Sequence, residues 1–291
     1  MKILFGYDGS ECADAAIEDL RRAGLPDDAE FTVLSVAEHW LPPPSSLELL
    51  AEVDRVKEFQ ALAESAALRL REVNPRWEVK TESPVGSPAS LIVEKSDEWK
   101  PDLIVIGSHG RTALGRFFFG SVSQKVLHEA HCSVRVARQR KVEPGAPARL
   151  VIGIDGSKYA NAAVDAVAKR VWPLGAEVRL VNGTWQIPAA TANHMLSQIA
   201  EWVASENARV KAAMDDGFDK LKSAGLKPSI VVKDDEPRRL IISEAESWDA
   251  DSIFVGSKGM GRVERFLIGS VSSSIAIRAH CSVEIVRTAE P

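Results

Sequence analysis

The sequence predicts an α/β protein of two tandem, doubly wound domains, each built on a five-stranded parallel sheet. Short apolar strands alternate with amphipathic helices along the chain, the order that gives a mostly parallel sheet covered on both faces. That order is run through twice. Residues 102–138 (DLIVIGSHGRTALGRFFFGSVSQKVLHEAHCSVRVAR) match residues 251–287 (DSIFVGSKGMGRVERFLIGSVSSSIAIRAHCSVEIVR) at an offset of 149, with 17 of 37 positions identical, which marks an internal duplication. At 291 residues, either half is long enough to bury its own core.

The first repeat opens with an apolar strand over 2–7 (KILFGY). Asp8-Gly9-Ser10 follows, with Ser10 a suitable N-cap for a helix whose apolar positions Ala13, Ala16, Ile17 and Leu20 step at helical spacing. The second repeat opens alike, with RLVIGI at 149–154, then Asp155-Gly156-Ser157, then Ala160, Ala163, Val164 and Val167. Strands at 30–37 and 177–183 each lead into a proline-bearing or polar loop, at 39–46 and 185–193. Long helices with one apolar stripe are expected over 47–73 and 194–224. Strands near 77–82 and 229–233 lead into helices near 88–99 and 237–248, the latter started by Pro237 as a first-turn proline. The duplicated stretch closes each half with a strand, a glycine-bearing loop, a helix and a last strand. Residues 139–148 (QRKVEPGAPA) read as the linker, so the predicted domains are 1–140 and 149–291.

The glycines of the duplicated stretch keep one spacing, Gly107, Gly110 and Gly120 in the first copy and Gly256, Gly259 and Gly269 in the second. A glycine-rich loop feeding a helix start lets backbone N–H groups approach a phosphate chain, and the helix dipole favours its charge. Ser121 and Ser270 stand at the helix start, where a hydroxyl can meet a backbone N–H or a phosphate oxygen. A single copy would read equally well as turn glycines and an N-cap serine, but two copies in register favour the phosphate site. In an open doubly wound sheet of the flavodoxin or Rossmann type, ligands lie beyond the carboxyl ends of the strands where strand order reverses. If the first strand neighbours the fourth, Asp8 meets the loop from Gly107 and Asp155 the loop from Gly256. A carboxylate there suits a ribose or base, since it accepts from hydroxyls and amines but repels phosphate; the alternative is a plain Asp-Gly turn before an N-cap.

Hydrophobic content of 45% and charged content of 26% are those of an ordinary globular protein, and a net charge of −5 with no basic cluster argues against nucleic-acid and anionic-membrane surfaces. The start MKILFGYDGS breaks into polar residues too early for a signal peptide, and no apolar run reaches membrane-spanning length, so we expect a cytoplasmic protein. Cys12, Cys132 and Cys281 have no CxxC spacing, which indicates neither a disulfide framework nor a zinc site; the equivalent Cys132 and Cys281 are expected as buried small hydrophobes. The last strands, 132–137 and 281–286, are apolar and would leave exposed sheet edges, so we expect them to pair and form an intramolecular pseudo-dimer.

With these motifs, nearly the whole chain resembles the universal stress proteins in tandem form. The family's nucleotide signature is Gly, two residues, Gly, nine residues, Gly and then Ser or Thr, and it stands here as Gly107, Gly110, Gly120-Ser121 and as Gly256, Gly259, Gly269-Ser270. The resemblance implies ATP, taken as Mg-ATP, in both halves. It places Asp8 and Asp155 near the adenosine and makes Ser123 and Ser272 the second small hydroxyl of the site. It also implies dimerisation through the last strand, so that a homo-dimer and an unidentified protein partner are further expectations. The sequence departs from the family where a valine faces adenine, with Val36 in the first repeat but Gly183 in the second, and after the first glycine, with His109 in one copy and Lys258 in the other. The Gly-x-Pro turn, Gly86-Ser87-Pro88, becomes Asp235-Glu236-Pro237. Asp234, Asp235 and Glu236 are expected as a solvated loop in preference to a metal site.

These features favour an ATP-binding, stress-response regulatory protein with little or no turnover. Residues 115–121 lack the lysine of a P-loop, and no base and nucleophile recur at the loop in both copies, so no catalytic residue is assigned. A nucleotide-processing enzyme, as a slow ATPase or an adenylyl-transfer protein, and a nucleotide-independent scaffold are the alternatives.

Overall fold

A computed structural model of the chain describes residues 1–38, 46–110, 119–140, 145–184, 195–259 and 268–288. The chain divides into two compact units whose main segments are Met1–Lys141 and Val142–Arg287. In the first, β1 (Lys2–Gly6), α1 (Glu11–Leu20), β2 (Glu30–Leu34), α2 (Ser46–Val73), β3 (Glu78–Glu82), α3 (Pro88–Trp99), β4 (Leu103–Gly107), α4 (Ser121–Glu129) and β5 (Ser133–Ala137) follow in order. The strands are all parallel, arranged β3-β2-β1-β4-β5. The second repeats this with β6 (Arg149–Gly153), α5 (Lys158–Ala168), β7 (Glu177–Gly183), α6 (Met195–Ser223), β8 (Lys227–Lys233), α7 (Pro237–Ser247), β9 (Ser252–Gly256), α8 (Ser270–Arg278) and β10 (Ser282–Val286). Its parallel order is β8-β7-β6-β9-β10. The predicted class and element order are those observed. The linker residues 141–144 and the loops at 39–45 and 185–194 lie outside the described residues.

Burial explains the sequence of each strand. Ile3, Leu4 and Phe5 of β1 and Leu103, Ile104 and Val105 of β4 have no exposed surface, as unbroken apolar runs must when both sheet faces are covered. The outer strand β3, EVKTE, buries only Val79, and its charges guard an edge that would otherwise invite pairing. α1 packs beside α2, and their buried residues form one core with Phe5, Phe31 and Val105; α3 packs beside α4 across the sheet. In the second unit α5 packs beside α6 and α7 beside α8.

One position on each last strand carries a buried charge. Arg135 of β5 is fully buried and holds Asp19 of α1 in a fork, Nε to Oδ2 at 2.6 Å and Nη2 to Oδ1 at 2.9 Å. The equivalent residue of β10 is Glu284, which accepts from Arg170, just past α5, at 2.9 Å. Each charge has an opposite partner in its own unit, with the signs exchanged. Cys281 is buried as expected, whereas Cys132 is only half-buried.

Removing one partner of a buried ion pair leaves the other desolvated with less compensation, at a cost of about 3–5 kcal/mol. Asp19→Ala should therefore lower unfolding free energy by about 3 kcal/mol in urea titration. A change as small as that of a surface pair would show that Asp19 does not hold Arg135 in place.

Candidate functional site

Strand order reverses between β1 and β4 in the first unit and between β6 and β9 in the second, and the sequence-marked residues gather there. The Asp-Gly-Ser turn after β1 is built by its own side chains. Gly9 takes φ 75°, Asp8 Oδ1 accepts from Ser10 N at 3.0 Å, and Ser10 Oγ accepts from Ala13 N at 3.2 Å to cap α1. The second unit reproduces it with Gly156 at φ 74°, Asp155 Oδ1 accepting from Ser157 N at 3.0 Å and Ser157 Oγ from Ala160 N at 3.2 Å. One carboxylate oxygen thus belongs to the turn. The other, Oδ2, faces the glycine loop: a Cβ added at Gly110 would stand 2.7 Å from Asp8 Oδ2, and one at Gly259 2.8 Å from Asp155 Oδ2. The turn contact and the face towards the glycine loop thus fall on different oxygens of this aspartate.

The glycines of the signature do different jobs. A Cβ at Gly107 would lie 3.0 Å from the carbonyl carbon of Cys12, and one at Gly256 2.5 Å from that of Tyr159, so the first glycine lets the helix after strand one rest on the end of strand four. The third glycine closes the loop. Gly120 N donates to Ser108 O at 2.9 Å and Gly269 N to Ser257 O at 2.7 Å. Gly120 and Gly269 are themselves the N-caps of α4 and α8, so Ser121 and Ser270 are the first helical residues, exposed, and not caps. With no cap side chain, the first-turn amides of these helices are left for solvent or an anion. Ser123 and Ser272 are buried and donate to Gly107 O at 2.8 Å and Gly256 O at 2.6 Å. Their protons fasten each helix to its strand end, a structural part the sequence did not disclose. The segments 111–118 and 260–267, which include most of the nine-residue spacers and most of the lysine-free 115–121, lie outside the described residues.

In the first unit these residues surround a cavity of about 510 Å³. Asp8, Val36, Gly107, His109, Gly110, Gly120, Ser121 and Ser123 all line it. Val36, two residues past β2 and buried, joins Leu34, Pro88, Ile92 and Ile106 as apolar wall. Sequence reasoning missed the contribution of α2, which brings Arg55, Glu58 and Phe59 to the same cavity. Arg55 and Phe59 are four residues apart and so share a helix face, but nothing in the chain says which face meets the sheet end. It also missed Tyr7, whose hydroxyl donates to Asp14 Oδ1 at 2.6 Å, with Arg69 paired to the same carboxylate. Burial, together with that hydrogen bond, pushes the phenol up from 10.0 to about 12.

The second unit departs at the position of Val36. Strand registers pair Gly6 with Leu34 and Gly153 with Val181, which makes Gly183 the true equivalent. Its missing side chain is not an empty space: a Cβ there would lie 2.5 Å from Asp235 O and 3.2 Å from Pro237 Cα. The Asp235-Glu236-Pro237 backbone occupies the valine's place. Glu236 caps α7 by accepting from Arg239 N at 3.1 Å and pairs with Arg238 at 2.5 Å. Asp235 pairs with Arg239, whose hydrogen bond holds the carboxyl below its ordinary range. These carboxylates are engaged by arginines, and no group of three potential metal-ligating side chains occurs among the described residues. Lys258 Nζ lies 5.6 Å from the ring centroid of Tyr159.

The cradle fits an elongated anionic ligand with an apolar head: uncapped helix amides and glycine backbone at one end, Val36 and Ile92 at the other, a carboxylate between. Comparison with known proteins gives the family and the fold. The model of the universal stress protein family matches residues 1–138 and again 148–287. A universal stress protein of Mycobacterium tuberculosis is 26% identical over 293 aligned residues, covering 98% of this chain and 96% of the relative. One from Methanocaldococcus jannaschii is 34% identical over 148 residues, covering 49% of this chain and 84% of its own. In structure, a universal stress protein from Archaeoglobus fulgidus superposes with a TM-score of 0.66 at 19% identity, covering 98% of this chain and 96% of that one, which shows a shared fold.

Two outcomes follow from the geometry. Gly183→Val should not supply an adenine wall but push against the 235–237 backbone, lowering stability by about 1–3 kcal/mol in thermal or urea unfolding; an unchanged stability would mean that the turn yields freely. Tyr7 is an acid whose folded pKa is raised, so its stabilisation is complete below pH 10.0 and is lost as pH rises towards about 12. Tyr7→Phe should flatten the fall in stability across that window, and an identical pH profile for the two proteins would remove Tyr7 as its source.

Proposed function

The chain belongs to the universal stress protein family, and from that premise we propose that it is an ATP-binding regulatory protein with a nucleotide site in each repeat and little or no catalytic turnover. The domains are 1–140 and 149–291, and the setting is the cytoplasm. The observation that carries the reading is the first-unit cavity, into which eight separately marked residues converge beside the uncapped start of α4. In this reading the triphosphate lies on the backbone of Gly110 and Gly120 and the first turn of α4, with Ser121 free to donate to it. The ribose meets Asp8 Oδ2, and the adenine packs on Val36 and Ile92. Gly256, Lys258, Gly259, Gly269 and Ser270 with Asp155 make the second site. Mg enters with the phosphates, its charge offset by them more than by the protein.

The two sites are unequal in this proposal. Val36 presents an apolar face to the base where the second unit presents the 235–237 backbone, and loss of part of a valine contact costs roughly 1 kcal/mol, about fivefold in affinity. Lys258 acts in the opposite direction, as a cation near the phosphates. The packing term outweighs the lysine, whose ammonium lies 5.6 Å from the Tyr159 ring centroid and is drawn to that ring as well as to the phosphates.

We also propose that the repeats pair through their last strands, 132–137 and 281–286, and that nucleotide occupancy alters the choice of a protein partner. Pairing predicts slow hydrogen exchange at every amide of those strands. Fast exchange at alternate amides, as on an open edge, would remove it.

Calorimetric titration with Mg-ATP tests the sites one at a time. Gly120→Val should abolish the tighter binding and leave the weaker, whereas Gly269→Val should do the reverse. A Cβ at Gly269 meets nothing closer than 3.5 Å, against 3.1 Å at Gly120, so the first atom of the new side chain is accommodated more easily in the second variant. If the double variant binds ATP as the parent does, the glycine-loop assignment is wrong; if the site left by Gly120→Val is the tighter, the adenine wall does not set the order.

A further inference from the structure

At the wall of the first cavity, where His109 lines it, a thiol meets the imidazole. Cys12, the second residue of α1, places Sγ 3.1 Å from His109 Nε2 and 3.4 Å from Nδ1. Ser108 Oγ stands 3.1 Å from Nδ1 and 3.7 Å from the same sulfur. Cysteines react as thiolates, and a thiolate is favoured where a helix begins and where an imidazole can take its proton. Cys12 stands at a helix start with an imidazole against its sulfur, and it is half-buried. Cys132 and Cys281 follow the C-terminal ends of α4 and α8, where the helix dipole opposes a negative sulfur, and Cys281 is buried.

The second unit keeps the contact and changes its chemistry. Tyr159 stands where Cys12 does, on the strand-end glycine in the same way, and Lys258 stands where His109 does, over the Tyr159 ring. An aromatic ring against an ammonium group has no thiol to oxidise. The thiol–imidazole contact is therefore confined to the first repeat.

We propose that Cys12 is a covalent modification site for low-molecular-weight disulfides, with His109 as its proton acceptor. The sulfur, its proton passed to the imidazole, attacks one sulfur of the disulfide. The new Cys12 S–S bond forms as the old one breaks, and the departing thiolate takes the proton back from His109, so that Cys12 is oxidised and half of the reagent is released as thiol. An adduct on the sulfur displaces His109, because Cys12 Sγ is in contact with the imidazole at 3.1 Å. Because Ser108 O receives Gly120 N at 2.9 Å, moving His109 disturbs the closure of the glycine loop. Modification thus lowers nucleotide affinity in the first repeat alone; this consequence rests on the function proposed above, whereas the modification site itself does not.

The test is exposure of the intact protein to oxidised glutathione, with peptide mass spectrometry to follow each cysteine. Cys12 should be modified about tenfold or more faster than Cys132, and His109→Gln should slow Cys12 by about tenfold while Cys132 keeps its rate. Cys132 reacting first, or Cys12 reacting equally fast in His109→Gln, would overturn the site. Calorimetry with ATP on modified protein should then show the tighter site weakened about tenfold or more, restored by dithiothreitol, and insensitive to the reagent in Cys12→Ser. Unchanged ATP binding after full modification of Cys12 would overturn the coupling. If ATP binds to neither form, the proposed nucleotide function falls together with the coupling, and the labelling rates still decide the site.

Discussion

The structure of each site depends on one close approach, that of the helix after the first strand to the end of the fourth. Gly107 has the backbone of Cys12 where a side chain would be, and Gly256 has that of Tyr159. Any larger residue would hold the helix away from the sheet. Because the helix is seated there, its N-terminal turn, with Asp8 or Asp155, stands directly over the loop that leaves the glycine. The aspartate's free oxygen then reaches the second glycine, Gly110 or Gly259, and the loop has to return at the third to begin the next helix. Ser123 and Ser272 fasten that helix to the same strand end by bonding the carbonyls of Gly107 and Gly256. The arrangement of turn, loop and helix start is thus a product of packing constraints that hold whether or not a ligand is present.

Those constraints were legible in the sequence because they are written in residue types with few alternatives. Apolar runs gave the buried strands, Asp-Gly-Ser gave the turn and cap, and paired glycines in two copies gave the loop. All eight first-repeat site residues line one cavity. What could not be read is what depends on the facing of a distant element. Arg55, Glu58 and Phe59 arrive on α2, whose rotation against the sheet is set by packing and not by local pattern. Likewise Gly183 looked like a valine lost, whereas it admits the 235–237 backbone, a fact that depends on a turn more than fifty residues on. Ser121 shows a subtler limit. Serine is a good cap by propensity, yet Gly120, one place earlier, takes the cap position in an extended conformation with φ −70° and ψ 149°.

The two copies differ in a patterned way. Backbone-level features, the glycine spacing and the double hydrogen-bonded turn, are duplicated to within a few tenths of an ångström. Side-chain contacts differ two residues at a time: Cys12 with His109 against Tyr159 with Lys258, and Asp19 with Arg135 against Arg170 with Glu284. This follows from the cost of a half-changed contact. Placing Glu on the last strand of the first unit without changing Asp19 would set two carboxylates together in a buried place, where like charges are most expensive.

The same reasoning separates what the repeats share from what each can do alone. A feature resting on backbone, such as the glycine loop closed onto an uncapped helix start, survives exchange of side chains and is present in both units. A property resting on a side-chain pair is confined to the unit that carries it. The apolar wall at Val36 and the thiol–imidazole contact at Cys12 belong to the first unit, while the arginine-engaged turn at Asp235 and Glu236 belongs to the second. A protein built this way can keep one kind of ligand in common while giving its halves different sensitivities. The division needs no movement of one element against another, because the chemical difference is already present in the side chains that meet at each strand end.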